Sequence, residues 1–161
     1  MMREKMNVFY LHHNPKTCAK YHNDKHCVKM ILEYAQLMST AHRIVDGDDA
    51  DNLVYKATHK NHPSAIWARH SDLNYDWLYK LFEELSSEYT HRYGKQHLSY
   101  TKLKDILRYP PDNITIGEFT QPTPAMPEHC KIPNDSIASY RNYYKTEKSH
   151  LAKWTARPVP K

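Results

Sequence analysis

Cysteine is sparse and odd in number. The three residues, Cys18, Cys27 and Cys130, form no C-x-x-C pair. That leaves no framework for a disulfide scaffold or a zinc ribbon, and it fits a reduced, cytoplasmic setting. No apolar run approaches the length of a membrane span or a signal-peptide core, so the chain reads as soluble, unexported and without a membrane partner. Strand signals are equally thin, confined to Ile114 to Phe119. The expected fold is all-α. Glycine is as rare as cysteine, with three residues, and stands against thirteen tyrosines.

Charge and rings are what the chain has in quantity. Its 161 residues suffice for one domain with a sizeable core. The formal net charge is +5, and twelve histidines can add to it in acid. Basic side chains neutralise phosphates and flat amphipathic rings stack on bases, so the composition suits a nucleic-acid partner.

The most informative segment runs from Cys18 to Ile44, which reads as one apolar helix carrying a narrow polar stripe. At 100° per residue, His22, His26, Lys29, Glu33, Gln36 and Thr40 share a face. Off that stripe, Val28, Met30, Ile31, Leu32, Tyr34, Ala35, Leu37 and Met38 are all apolar. An ordinary surface helix shows the reverse balance. A helix this apolar is expected to be mostly buried, with its charges paired or hydrogen-bonded. The stripe then lines a cleft; the plainer reading makes it the solvated edge of a core helix.

Around it the chain reads as a compact domain of about four to five helices. Pro15 favours a helix start near Lys16 or Thr17. Asp46 to Asp51, with four aspartates and a glycine, reads as a solvent loop. A short helix opens at Pro63, and a long one follows from about Asp72 with Ser71 as its cap and Gly94 as the left-handed residue closing it. Residues 109 to 133 hold six prolines and form a long loop or wrap. Asn134 or Asp135 then caps a last helix reaching roughly His150. Met1 to Lys5 read as a leader or an upstream start ahead of Met6, and residues 6 to 161 as a single helical domain.

Four places carry candidate chemistry. Lys29 and Glu33, at i and i+4, can act as a tuned carboxylate and base, or merely as a surface pair. His22 and His26 also sit at i and i+4, a spacing able to bind a metal, although no third ligand is evident. A further group, His59, His62 and His70, could approach them in space. The third place is the run from Asn61 to His70. There Asn61 and His62 precede the proline-started helix, whose free N–H groups suit an anion, with Arg69 and His70 two turns on. The plainer reading has Asn61 capping and Trp67 packing. The fourth is the tail from Tyr140 to Lys161, where six basic residues, among them Arg141, Lys145 and Lys148, alternate with Tyr143, Tyr144 and Trp154.

The run M-N-V-F-Y-L-H-H-N-P-K-T-C-A-K-Y-H-N-D-K-H-C-V-K-M-I-L-E-Y-A-Q-L, from Met6 to Leu37, resembles the start of pyrimidine-dimer DNA glycosylase-like proteins. Lys29, Glu33 and Gln36 fall without a gap on the Lys, Glu and Gln of one branch's G-K-Q-R-V-E-x-x-Q-I-L pattern. Asn61, His62 and Pro63 match the family's N-H-P, and Arg92, Tyr93 and Gly94 resemble the R-R-G closing its long helix. The helix from Ser136 to Lys145, followed by Trp154, is similar to its basic, aromatic end. The chain is also similar to uncharacterised small bacteriophage proteins.

The resemblance implies a compact all-α fold that binds double-stranded DNA and cuts the glycosidic bond of a damaged or modified pyrimidine. Strand cleavage at the abasic site would follow through a Schiff base, with no cofactor. In the best-known members the nucleophile is the amine of a small second residue, helped by a glutamate on the first helix. Here Asn7 follows Met6, and no acid stands between Cys27 and Met30. The implied catalytic group is therefore Glu33 with Lys29 or a terminal amine, and His26 beside them. The implied DNA contacts are Lys25, Asn61, His62, Arg69, His70, Arg92, Arg141, Lys145 and Lys148. Two other readings stay open, a non-catalytic DNA-binding protein and a metal-dependent nuclease or hydrolase using His22 and His26.

Overall fold

The computed structural model describes residues 6–160, and the expected leader, Met1 to Lys5, lies outside them. Among the described residues are six α-helices: α1 (Pro15–Tyr21), α2 (Asp24–Asp46), α3 (Pro63–His70), α4 (Asp72–Tyr93), α5 (Leu98–Leu107) and α6 (Ser136–Thr146). Short 3₁₀ turns follow α2, precede α6 and follow α6. No strand occurs among the described residues, and Ile114 to Phe119 is irregular.

The segment expected as one helix from Cys18 to Ile44 is two. Asn14 caps α1, its side chain accepting from the N–H groups of Lys16 and Thr17, with Pro15 as the first helical residue. The chain then turns extended at His22, and the Asn23 side chain accepts from His26 N–H to begin α2. Two asparagines nine residues apart thus impose two starts, because each satisfies N–H groups that a continuous helix would bond internally. His22 therefore leaves the stripe.

Local signals set the other boundaries. Pro63 opens α3, and the Ser71 side chain accepts from Asn74 N–H at the start of α4. Gly94 closes α4 at φ 72°, where a Cβ would be strained. Asp135 caps α6, which ends at Thr146 rather than near His150. Besides that split, the helix not signalled by the sequence is α5. Its cap is His97, whose Nδ1 accepts from Ser99 N–H, a use of histidine that ordinary capping preferences do not flag.

The core lies around α2, which packs against α3, α4 and α5, while α1 packs on α4. Tyr34, Met30, Ile31, Leu37 and Met38 from α2 meet Tyr75, Leu78, Leu81 and Phe82 from α4 in the buried core. The segment from Met6 to Leu11 is buried too, although it forms no helix. The proline-rich stretch is an ordered wrap. Asp46 accepts from the N–H groups of Asp112 and Asn113, and Asn74 holds Thr120 through both its amide atoms. Trp67 Nε1 donates to Thr120 O at 2.7 Å. Asp46 thus belongs to α2 and pins the wrap, so the expected aspartate loop begins one residue later.

Candidate active site

The polar stripe of α2 faces protein. His26 and Thr40 are buried, and Lys29, Glu33 and Gln36 are half-buried. The exposed line of the helix is instead Lys25, Val28 and Leu32, with Val28 at 42% and Leu32 at 39%. The stripe is therefore at least partly withdrawn from water, and the cost of burying these groups has to be met by partners.

Two of the partnerships are tyrosine–histidine bonds. Tyr144 on α6 accepts from Asn23 N–H, and its hydroxyl meets His26 Nδ1 at 2.7 Å. With that hydroxyl donating, Nδ1 is the acceptor and the ring proton sits on Nε2. Phe9 stacks on the same imidazole, with ring centroids 4.0 Å apart. The second chain begins at Phe9 N–H, which donates to the Tyr34 hydroxyl; that hydroxyl meets His22 Nε2 at 2.7 Å. His22 Nδ1 donates to Cys18 O at 2.8 Å, since a carbonyl can only accept. Both nitrogens of His22 are thereby used, and neither has a lone pair left for a metal ion. Burial pushes His22 down to about 3, so it is neutral at physiological pH. Among the described residues no three metal-ligating side chains converge.

At its far end the stripe meets the loop before α3. Thr40 Oγ1 accepts from Thr58 N–H at 3.1 Å and lies 3.3 Å from Thr58 O. Thr58 stands four residues before His62, and Arg69 pins the same loop through a 2.8 Å bond to Lys60 O. The N-H-P step is thus anchored beside α2, but its parts differ from expectation. His62, not Asn61, is the cap of α3, its Nδ1 accepting from Ser64 N–H at 3.0 Å. Asn61 and His70 are exposed, and Arg69 is half-buried with Nη1 enclosed and without a hydrogen-bond partner among the described residues.

Arg92 corrects the expected DNA-contacting set. Its side chain is fully enclosed, with Nε on Glu88 at 2.8 Å, Nη1 on Asp24 at 3.0 Å and Nη2 on Lys20 O at 3.0 Å. With all three nitrogens bonded inside the fold and the side chain enclosed, this guanidinium is not presented to a phosphate at the surface. Glu88 also holds Arg157 at 2.9 Å, and Asp24 accepts from Thr155 N–H at 2.8 Å. Burial works against both carboxylates. It is outweighed at Asp24 by hydrogen bonds from Thr155 and then Arg92, and at Glu88 by Arg157 and Arg92, so both sit below the usual range. The remaining candidates lie outside: Lys25, Arg141 and Lys145 are exposed and Lys148 is half-buried over Tyr143. Burial also pushes Cys18 and Cys27 up to about 12, which keeps both thiols protonated and unreactive.

Residues 6–101, from the buried first segment into α5, match the family model of pyrimidine dimer DNA glycosylases. The chain belongs to that family. It is a DNA-repair family of the glycosylase type, and DNA is the substrate its name implies. No curated protein and no solved structure matches the chain. No helix among the described residues is long and apolar enough to cross a membrane. Within the family-matched region lie Lys25, His26, Lys29, Glu33, Asn61, His62, Arg69, His70 and Arg92; beyond it lie Arg141, Lys145 and Lys148. The residues that sequence reading missed are the supports, above all Tyr34, Tyr144, Asp24, Glu88 and Arg157. Tyr144 stands 118 positions from His26, and no local pattern signals such a pair.

Proposed function

We infer that this chain is a DNA N-glycosylase that removes damaged or modified pyrimidines from double-stranded DNA and then cleaves the abasic strand. Glu33 is its carboxylate, and its nucleophile is an amine, from Lys29 or the chain terminus. The observation that carries this is the half-buried run Lys29, Glu33 and Gln36 on α2, inside the family-matched region.

The early chain supplies the second support. Phe9 is fixed on α2 through Tyr34 and His26, and Leu11 accepts from Arg141 at the α6 side. An α-amine titrates near 8, so a terminal amine offers a neutral nucleophile at physiological pH.

The chemistry balances without a cofactor. The amine attacks C1′, the bond from C1′ to the base breaks, and the base leaves with the electron pair and takes up a proton. The attached nitrogen loses a proton, the C1′–O4′ bond breaks with O4′ taking up a proton, and the protonated imine forms; removal of a C2′ proton then expels the 3′ phosphate. Glu33 stabilises the cationic sugar and accepts protons as the ring opens.

Borohydride reduction on damaged duplex tests this. The expected result is a covalent protein–DNA adduct in the wild type and none in Glu33→Gln, whose melting temperature stays close to the parent. Peptide mapping of the adduct separates Lys29 from a terminal amine. A Glu33→Gln protein that turns over at the parent rate removes Glu33 from the mechanism.

A further inference from the structure

A broad groove of about 620 Å³ lies where the second half of α4 meets the start of α5. It is lined by Glu83, Glu84, Ser87 and His91 of α4, with Gln96 and Tyr100 after them in the chain. Ser86 and Thr90 complete the lining, and no lysine or arginine belongs to it. Small-molecule sites run to about 300–1,000 Å³, so the groove has the size for a ligand rather than a lone ion.

Its hydrogen-bonding character is biased toward acceptors. The ionised carboxylates of Glu83 and Glu84 can only accept, and neither has an ion pair among the described residues. Ser86 is almost fully enclosed, and its hydroxyl donates to Phe82 O at 2.8 Å. The Thr90 hydroxyl is directed at Ser86 O and Lys95 O, at 3.2 and 3.1 Å. His91 Nε2 donates to Ala156 O at 3.2 Å, so Nδ1 of the neutral ring keeps a lone pair. Three lining groups have thus committed their protons to the backbone and can only receive from a ligand. Ser87, Gln96 and Tyr100 are left with donors of their own.

The local field has the same sign. Tyr100 is raised above its ordinary value by burial first, then by the charges of Glu83, Asp105 and Glu84, with Arg108 working the other way. Lys104 lies over the Tyr100 ring, 5.8 Å from its centre, and outside the lining. Acceptors beside unpaired carboxylates match a cation that carries several N–H groups.

The spacing narrows the choice. Glu83, Ser87, Thr90 and His91 follow one another along α4, and the helix rises about 12 Å between the first and the last. A compact metal ion meets only one end of such a row, and no three metal-ligating side chains converge among the described residues. A flexible chain with ammonium groups set apart by short carbon linkers can meet both ends.

We propose that this groove binds a linear aliphatic polyamine, its ammonium groups on Glu83 and Glu84 and its remaining N–H groups on Thr90 and His91. The site shares no residue with the Lys29–Glu33 run and does not depend on the glycosylase reading.

The test is isothermal titration calorimetry of the full chain without DNA, at constant ionic strength. The probes are spermidine, putrescine, butylamine and magnesium chloride. Glu83→Gln and Glu84→Gln each remove one charge at nearly constant shape. Ser87→Arg places a tethered guanidinium in the groove from an exposed position. Melting curves without ligand establish that each variant is folded.

Spermidine should bind one to one, putrescine more weakly, and butylamine and magnesium not measurably. Each glutamine variant should weaken spermidine about threefold, within the range of an exposed ion pair, and Ser87→Arg should abolish its binding. Absence of spermidine binding, or an affinity that none of the three variants alters, overturns the site. Displacement of spermidine by magnesium at equal charge also overturns it, since that outcome identifies a diffuse counterion atmosphere. Borohydride trapping reads Glu33 and the amine on DNA, so either reading can fail without the other.

Discussion

The Tyr144 hydroxyl and His26 Nδ1 are 2.7 Å apart, and this one bond ties α6 to the polar stripe of α2. The imidazole is buried, so the bond cannot be replaced by water without opening the fold. It also joins the family-matched half of the chain to the part beyond it.

Tyr144→Phe leaves Nδ1 enclosed with its acceptor unmet. We expect a loss of about 1–3 kcal/mol, the cost of an unsatisfied buried polar group, read as a lower urea midpoint at unchanged slope. A midpoint equal to the parent would mean that His26 finds another donor.

Arg92→Ala breaks a buried network and strands Asp24 and Glu88. The expected cost is about 3–5 kcal/mol. Arg92→Lys should rescue little of it, since one ammonium cannot reach the positions that the guanidinium fork serves. A folded, fully stable Arg92→Ala protein with weakened DNA binding would return this residue to the DNA-contacting set.

His62→Ala removes the cap of α3 and should cost about 0.5–2 kcal/mol. His62→Asn, which keeps an acceptor at the cap, should restore most of that stability. If His62 also serves the DNA-facing side, His62→Asn will remain weak in binding while recovering its melting temperature. Full recovery of both confines the residue to capping.

Acid should destabilise the fold through His22. Its pKa is lowered from an ordinary value near 6.5 to about 3 by burial. The unfolded chain therefore binds the extra proton first. Stability from this group is complete above pH 6.5 and is lost progressively as pH falls toward 3. His42, lowered by burial, acts in the same direction. Melting curves at pH 7, 5 and 4 should show the decline, with a smaller drop in His22→Asn than in the wild type.

Charge reversal at Arg141, Lys145 and Lys148 should weaken duplex binding and flatten its salt dependence. Each lost phosphate contact removes about 0.9 from the slope of log K against log salt. An unchanged slope would place the DNA-contacting surface elsewhere.

Much of the helical frame was legible from single residues. Pro63, Ser71, Gly94 and Asp135 marked boundaries that the structure keeps, because a proline ring, a short side-chain acceptor or a left-handed glycine acts on its own neighbours. The apolar body of α2 was equally readable, since burial on almost every side leaves few polar positions. The same local logic failed where its signal was weak. The cap at Asn23 was hidden within an apolar run, and histidine caps at His62 and His97 look like functional or surface residues in a string of letters.

The sequence by itself determined an all-α chain, its main breaks, its basic aromatic tail and a polar stripe too narrow for an ordinary surface helix. Only the tertiary structure decided what each polar residue does. His22 and His26 share a spacing that suits a metal, yet each ring is claimed by a tyrosine from another part of the chain. Arg92 reads as a surface cation until Asp24, 68 positions away, is brought against it. Helix periodicity assigns a residue to a face, but whether that face meets water, a carboxylate or a phenol depends on partners the chain supplies only once it has folded.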